Sequence, residues 1–169
     1  MAVLNPDHLL EQAARLIEPP PAGPPRQVDV RRAISAAYYA VFHHVLTAAA
    51  DEVIGAVHRK ADRYALVYRS IAHRTLRDLC EEVGKPAPAK KYRSHVPTRG
   101  FGPNLPVFAS GLVELYEKRH GADYDPSIRV KTSDALSAIK TARSAIRRFD
   151  RANPLRRKTF LTLLLFPPR

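Results

Sequence analysis

Apolar residues recur along most of the chain at intervals of three and four, which is the spacing of one face of an α-helix. The first run follows Asn5 and Pro6, a capping residue and a residue suited to a first helical turn. It ends at the proline-rich residues 18–25, which cannot continue a helix. No segment alternates with a period of two, and no Asn-Gly or Asp-Gly hairpin turn occurs. The pattern predicts an all-α protein.

A second helix is predicted over residues 30–50, and apolar residues cover much of its circumference. Its two adjacent stripes are Ile34, Tyr38, Val41 and Val45, and Ser35, Tyr39, Phe42 and Leu46. Such a helix is either the centre of a bundle or shared with a second copy of the chain. We expect the chain to form a homodimer through it.

Three more helices follow in the same pattern. One is predicted over residues 61–83 with Gly84 as its stop, and another over 105–120 before a polar turn at 121–131. The last begins at Thr132 or Ser133. The residues expected to face inward on the last two helices are Val107, Leu112, Leu115, Tyr116, Leu136, Ile139, Ala142, Ile146 and Phe149.

These elements predict an up-and-down bundle of about five helices over residues 1–152. Residues 85–104, rich in Pro, Gly and cations, lack an apolar period and are expected to form a long exposed loop. Residues 153–169 form a tail whose apolar segment, 160–166, needs a cover in water. We expect this tail to dock, either on the bundle or on a partner protein.

The charge changes the picture, because 28 Lys and Arg oppose 16 Asp and Glu and give a formal net charge of +12. Such an excess attracts polyanions, so RNA is a candidate partner, although solvated Arg-rich helix faces produce the same balance. The loop gathers the candidate nucleic-acid-binding residues Lys90, Lys91, Tyr92, Arg93 and Arg99. A cation and aromatic cluster suits a nucleic-acid backbone and a stacked base, and a solvated loop is the alternative.

The sequence gives little support for a disulfide, a phosphate-binding loop, a metal site or a membrane segment. The single cysteine, Cys80, excludes an internal disulfide, and no Gly-rich phosphate loop or metal-binding motif occurs. Asp7 and Glu11 stand where a signal peptide is basic and apolar, and no run of consecutive apolar residues approaches the roughly 20 of a membrane span. We therefore expect a cytoplasmic protein with no membrane association, cofactor or metal.

Two motifs resemble the HEPN-domain family of small prokaryotic helical-bundle proteins over roughly residues 5–150. The first is a helix carrying a serine, paired tyrosines and Phe-His; the second is Arg-x-x-Ala-Asp-Tyr at the end of a later helix. The matching residues are Ser35, Tyr38, Tyr39, Phe42 and His43, then Arg119, Ala122, Asp123 and Tyr124.

The resemblance implies a metal-independent ribonuclease of the toxin–antitoxin kind or a catalytically degenerate RNA-binding relative. HEPN ribonucleases carry Arg-x4-to-6-His, in which arginine neutralises the scissile phosphate and histidine acts as general base or acid. Here Tyr124 fills the histidine position after Arg119. The implied catalytic candidates are Arg119, His120 and Tyr124, with His43 from the second helix.

Two alternatives stay open. Arg119 and Asp123 are spaced to pair along a helix, and Tyr124 could hydrogen-bond into the bundle, so the motif could be a structural tie. Ser35, Tyr38, Tyr39, Phe42 and Asp123 would then be structural residues. The whole chain could also be a non-enzymatic partner of a nucleotidyltransferase-type antitoxin. Arg69 and His73 are expected on a solvated or RNA-facing edge.

Overall fold

The computed structural model describes residues 4–168, and this part of the chain is helical without a β-strand. Its helices are α1 (Pro6–Leu16), α2 (Gln27–Ile54), α3 (Asp62–Ser70), α4 (His73–Gly84), α5 (Lys90–Arg93), α6 (Asn104–Tyr124), α7 (Thr132–Asp150) and α8 (Pro154–Leu165), with a 3₁₀ turn at Ala56–His58. The all-α prediction is confirmed. The described residues form eight α-helices where about five were predicted.

Helix α2 is the centre of the fold and contacts α1, α3, α6, α7 and α8. Tyr38, Val41 and Val45 of its first stripe are fully buried, and Phe42 and Leu46 of the second are nearly so. The chain's own helices thus cover the surface that suggested a dimer through α2. By length and hydropathy, 1.2 over its most apolar window, α2 could also cross a membrane, but 72% of that window is buried inside the fold, as in a core helix of a soluble protein.

The predicted third helix is two helices, α3 and α4, so the prediction of one continuous helix was wrong. Ile71 and Ala72 between them adopt extended backbone conformations, with ψ angles of 116° and 149°. The Ile71 side chain is buried, and burying it there favours a break that the local sequence does not encode. The break makes His73 the first residue of α4.

Helix α6 continues through Gly121 to Tyr124, four residues beyond its predicted end. The guanidinium of Arg31 on α2 donates hydrogen bonds to the carbonyls of Ala122 and Asp125, at 2.8 and 2.9 Å, and to that of Ile128. These bonds satisfy carbonyls that a helix end otherwise leaves unpaired. They hold the Arg-x-x-Ala-Asp-Tyr motif in helical conformation.

The long loop and the tail are both anchored on the bundle. In the loop, the Glu82 carboxylate at the end of α4 accepts a hydrogen bond from the backbone N–H of Ala89, and Tyr92 and Phe101 are buried.

The tail is helix α8, and the Asn153 side chain caps its start by accepting hydrogen bonds from two backbone N–H groups. Its buried residues are Phe160, Leu161, Leu163 and Leu164. The prediction of a docking tail is confirmed, with the bundle itself as the docking surface.

Two residues predicted to face inward do not. Val107 on α6 and Leu136 on α7 are 47% and 48% exposed. On α7 the inward positions are mostly alanines, among them Ala135, Ala138 and Ala142, which let α7 approach its neighbours closely. Because a leucine predicts a core position more strongly than an alanine does, the pattern assigned the wrong face to Leu136.

Candidate anion-binding site

The guanidinium of Arg119 on α6 lies inside a cage of four tyrosine rings. Its Cζ atom is 5.3 Å from the ring centroid of Tyr38, 5.5 Å from that of Tyr124, and 5.8 Å from those of Tyr39 and Tyr116. Each distance is within cation–π range. Arg119 is only 6% exposed, so this positive charge is held almost out of water.

Arg119 is incompletely paired by the protein. Its Nε atom lies 3.4 Å from Asp123 Oδ2, within ion-pair range but without hydrogen-bond geometry. Among the described residues, Nε and Nη1 are both buried and have no hydrogen-bond partner. The other Asp123 oxygen accepts a short hydrogen bond from the Ser35 hydroxyl. Arg119 therefore keeps donor capacity for an anion.

His73 stands beside this cage because α4 begins at it. Its ring stacks on Phe42 at a centroid distance of 3.9 Å, and its Nδ1 shares a hydrogen bond of 2.8 Å with the Tyr38 hydroxyl. Burial lowers the pKa of His73, and the positive charges of Arg119 and His43 lower it further. Of the expected solvated or RNA-facing edge, Arg69 is exposed and His73 is half-buried beside the cage, so an RNA-facing role for His73 stays a prediction.

His43 is the second histidine of the site. Its Nδ1 shares a hydrogen bond of 2.7 Å with the Tyr68 hydroxyl, and its ring stacks on Tyr39 at 6.0 Å. Burial lowers its pKa as well. The Nε2 atoms of His43 and His73 have no hydrogen-bond partner among residues 4–168. Two imidazoles that favour the neutral form therefore flank Tyr39, which also faces Arg119.

His120 and Tyr124 lie on the outer side of the cage. The His120 ring is exposed and lies 5.1 Å from Tyr124 and 6.4 Å from Tyr116, two rings that also face the guanidinium. Tyr124 is 65% exposed, and its hydroxyl has no hydrogen-bond partner in the described structure. The hydrogen bond from Tyr124 into the bundle, expected from the structural reading, is absent there.

The basic loop lies elsewhere. It is tied to Glu82 near the C-terminal end of α4, whereas His73 begins that helix, about 14 Å away along its axis. Lys90, Lys91, Arg93 and Arg99 are exposed. Tyr92 is only 8% exposed, so its ring packs into the fold. The predicted role of Tyr92 as a stacking platform for a base is therefore wrong.

The site contains residues that sequence reasoning missed. Tyr68 was not singled out, and His73 was placed on a solvated or RNA-facing edge without a link to Arg119, because both are distant from it in sequence and no motif spacing connects them. Tyr116 precedes Arg119 by three positions, and this helical spacing could have identified it as a neighbour.

The arrangement offers a buried cation with free donors and two neutral imidazoles, which suits binding of a phosphate and proton transfer at it. Within the described residues, no three His, Cys, Asp or Glu side chains come together as metal ligands. Comparison with known proteins gives no match among protein-family models, curated proteins or solved structures.

Proposed function

We propose that the chain is a HEPN-like RNA-binding protein in which Arg119 holds a backbone phosphate and His43 and His73 can support metal-independent cleavage. The observation that carries the proposal is the buried guanidinium with two unpartnered donor atoms. A buried polar group without a partner costs roughly 1–3 kcal/mol, and more when charged, so its retention calls for a functional explanation.

Phosphate is the anion that fits this group best. A guanidinium donates two parallel hydrogen bonds to phosphate oxygens and stays charged at any physiological pH. Of the tyrosine rings around it, the partly exposed Tyr39 and Tyr116 and the exposed Tyr124 can contact sugar and base. The net charge of +12 adds the long-range attraction that a polyanion would experience and a small anion would feel less.

The two histidines supply the proton transfers that RNA cleavage needs. One neutral imidazole would remove the proton of the 2′-hydroxyl, whose oxygen attacks the adjacent phosphorus. The imidazole protonated by this transfer would then give its proton to the departing 5′-oxygen, directly or through the second imidazole, so that a 2′,3′-cyclic phosphate and a 5′-hydroxyl result. His73 and His43 would thus replace the histidine that the family motif places where this chain has Tyr124.

A catalytically degenerate RNA-binding protein shares this phosphate site and differs only in the proton transfers. The structural tie between Arg119 and Asp123 also coexists with it, since one ion pair at 3.4 Å leaves other guanidinium donors unused. The antitoxin-partner hypothesis loses one support, because α8 buries its apolar residues within the same chain. A homodimer remains a prediction, to be checked by sedimentation equilibrium; its interface would lie outside the buried stripes of α2.

The test is incubation of the purified protein with 5′-labelled single-stranded RNA in excess EDTA, with binding measured in parallel by fluorescence anisotropy. Arg119→Gln should abolish both binding and cleavage. His73→Asn should bind normally and cleave about 10²-fold more slowly, and His43→Asn should lose cleavage to a similar extent. His58→Asn, at an exposed position outside the site and identically purified, is the control for surface histidines and for contaminating ribonuclease.

The outcomes separate the alternatives. Binding that Arg119→Gln removes, without cleavage by any form, supports the RNA-binding relative and contradicts the ribonuclease. Cleavage that survives in Arg119→Gln comes from another source and refutes the active-site assignment. A wild-type protein that neither binds nor cleaves RNA contradicts the proposal as a whole.

A further inference from the structure

A groove of about 420 Å³ runs between α1 and α2 beside the Arg119 site. Leu9 and Leu16, two helical turns apart on α1, form one apolar wall. Tyr39 and His43 on α2 form the other, with their rings stacked at an interplanar angle of 25°. The volume is within the range of small-ligand sites, and the two walls leave a slot suited to a flat ring.

The groove also carries unused polar groups. Gln12 on α1 and Arg32 on α2 line it, and neither side chain has a hydrogen bond or an ion pair within residues 4–168. The Gln12 amide can both donate and accept hydrogen bonds, and the Arg32 guanidinium can donate them. Together they could hydrogen-bond to the polar edge of a planar heterocycle. Apolar walls with two polar groups at the rim are the composition of a nucleobase site.

The groove adjoins the Arg119 cage, because Tyr39 belongs to both. Tyr39 lines the groove, and its ring centroid is 5.8 Å from Arg119 Cζ. A nucleotide with its base against Tyr39 and His43 would need its phosphate to pass the edge of the Tyr39 ring to meet the guanidinium.

We propose that the α1–α2 groove is a nucleobase subsite, which binds the base adjoining the phosphate held by Arg119 and selects among bases through Gln12 and Arg32. The inference rests on the proposed function, because a base reaches the groove only when its phosphate is held. It extends that function by predicting a base preference that the phosphate site alone could not produce.

The test is anisotropy titration of fluorescein-labelled 12-mers of oligo(A), oligo(C) and oligo(U) at one fixed salt concentration. The wild-type protein should bind one of them at least about tenfold more tightly than the weakest, the discrimination of one specific base contact. Gln12→Ala, an exposed change that leaves the core intact, should reduce that ratio below about threefold. Tyr39→Leu should weaken binding to all three oligonucleotides, and Tyr39→Phe should retain it because it keeps the ring.

Arg32→Gln is compared with Arg63→Gln, which removes the same charge from an exposed position on α3 away from the groove. Arg32→Gln should change the ratio between oligonucleotides, and Arg63→Gln should leave it unchanged. Equal affinity for all three, unaffected by Gln12→Ala and Tyr39→Leu but lost in Arg119→Gln, would refute the base subsite and leave the phosphate site standing. No binding by the wild-type protein would refute both.

Discussion

Arg119 is the residue at which structural and functional explanations make opposite predictions. A buried charge that the protein leaves partly unpaired costs free energy, and an apolar side chain of similar length often replaces such a charge without loss. We expect Arg119→Met to leave the melting temperature unchanged or slightly raised while abolishing RNA binding. Thermal unfolding followed by circular dichroism, with anisotropy on the same samples, measures both.

Arg31 provides the matched comparison, because its guanidinium is used for structure. It donates to three carbonyls at the end of α6, so Arg31→Met should lower stability by about 2 kcal/mol or more. If Arg119→Met were as destabilising as Arg31→Met, the tie between α6 and the tyrosine cage would be the main role of Arg119. The phosphate assignment would then lose its energetic basis.

The histidines predict a pH dependence of stability. Burial lowers the pKa values of His43 and His73 in the folded state, so between those values and the ordinary pKa near 6.5 the unfolded chain binds more protons. Their stabilising contribution is complete above about pH 6.5 and is lost as the pH falls through the folded pKa values.

The melting temperature should therefore fall between pH 7.5 and 5.0, and His73→Asn should reduce that fall. Asparagine can still hydrogen-bond to the Tyr38 hydroxyl, so the difference between the two pH values, and not absolute stability, is the readout. His120→Asn, at an exposed position, should leave the difference unchanged. An unchanged fall in His73→Asn would contradict the placement of His73 in a buried setting.

Among the helices, the boundaries that neighbouring residues determine could be predicted from the sequence. The boundaries that depend on contacts between distant segments could not. Residues close together in the sequence determine the start of α1 at Asn5 and Pro6 and the helical period of α2. The break at Ile71 and Ala72 contains neither Gly nor Pro, so no local signal marks it, and Ile71 is buried in the folded chain. The extension of α6 likewise depends on Arg31, 91 residues before the Ala122 carbonyl it binds.

Helix α8 allows a direct test of how much the tail contributes. Phe160 is fully buried and packs edge-on against Phe108, so Phe160→Ala should cost about 3–5 kcal/mol. Leu155→Ala on the same helix removes a 73% exposed side chain and should change stability by less than about 0.5 kcal/mol. Urea unfolding of both variants measures the contrast. Equal small effects would mean that the tail does not form part of the cooperative fold.

For the whole molecule, the candidate site is a meeting of three long-range segments, which explains why the sequence revealed only part of it. Arg119, Asp123 and the tyrosine pair stand in recognisable motifs, and Ser35 does reach Asp123 across the bundle. Tyr68 and His73 enter only because α3 packs on α2 and α4 packs on α6. Spacing along the sequence does not predict this proximity, because the packing of the helices produces it.

The exposed cations Lys90, Lys91 and Arg93 allow a test of how long an RNA strand the protein binds. The loop that carries these exposed cations is tied to Glu82, about 14 Å along α4 from His73, so a strand held at Arg119 could reach it over several nucleotides. If it does, changing Lys90, Lys91 and Arg93 together to Gln should reduce the slope of log Kd against log salt by about 2, three phosphate contacts at roughly 0.7 each. A matched triple change of Lys140, Arg143 and Arg147 to Gln, exposed on α7, should leave the slope nearly unchanged. Equal effects of the two triple variants would show that the loop acts only through net charge, and the RNA path would then have to be sought away from α5.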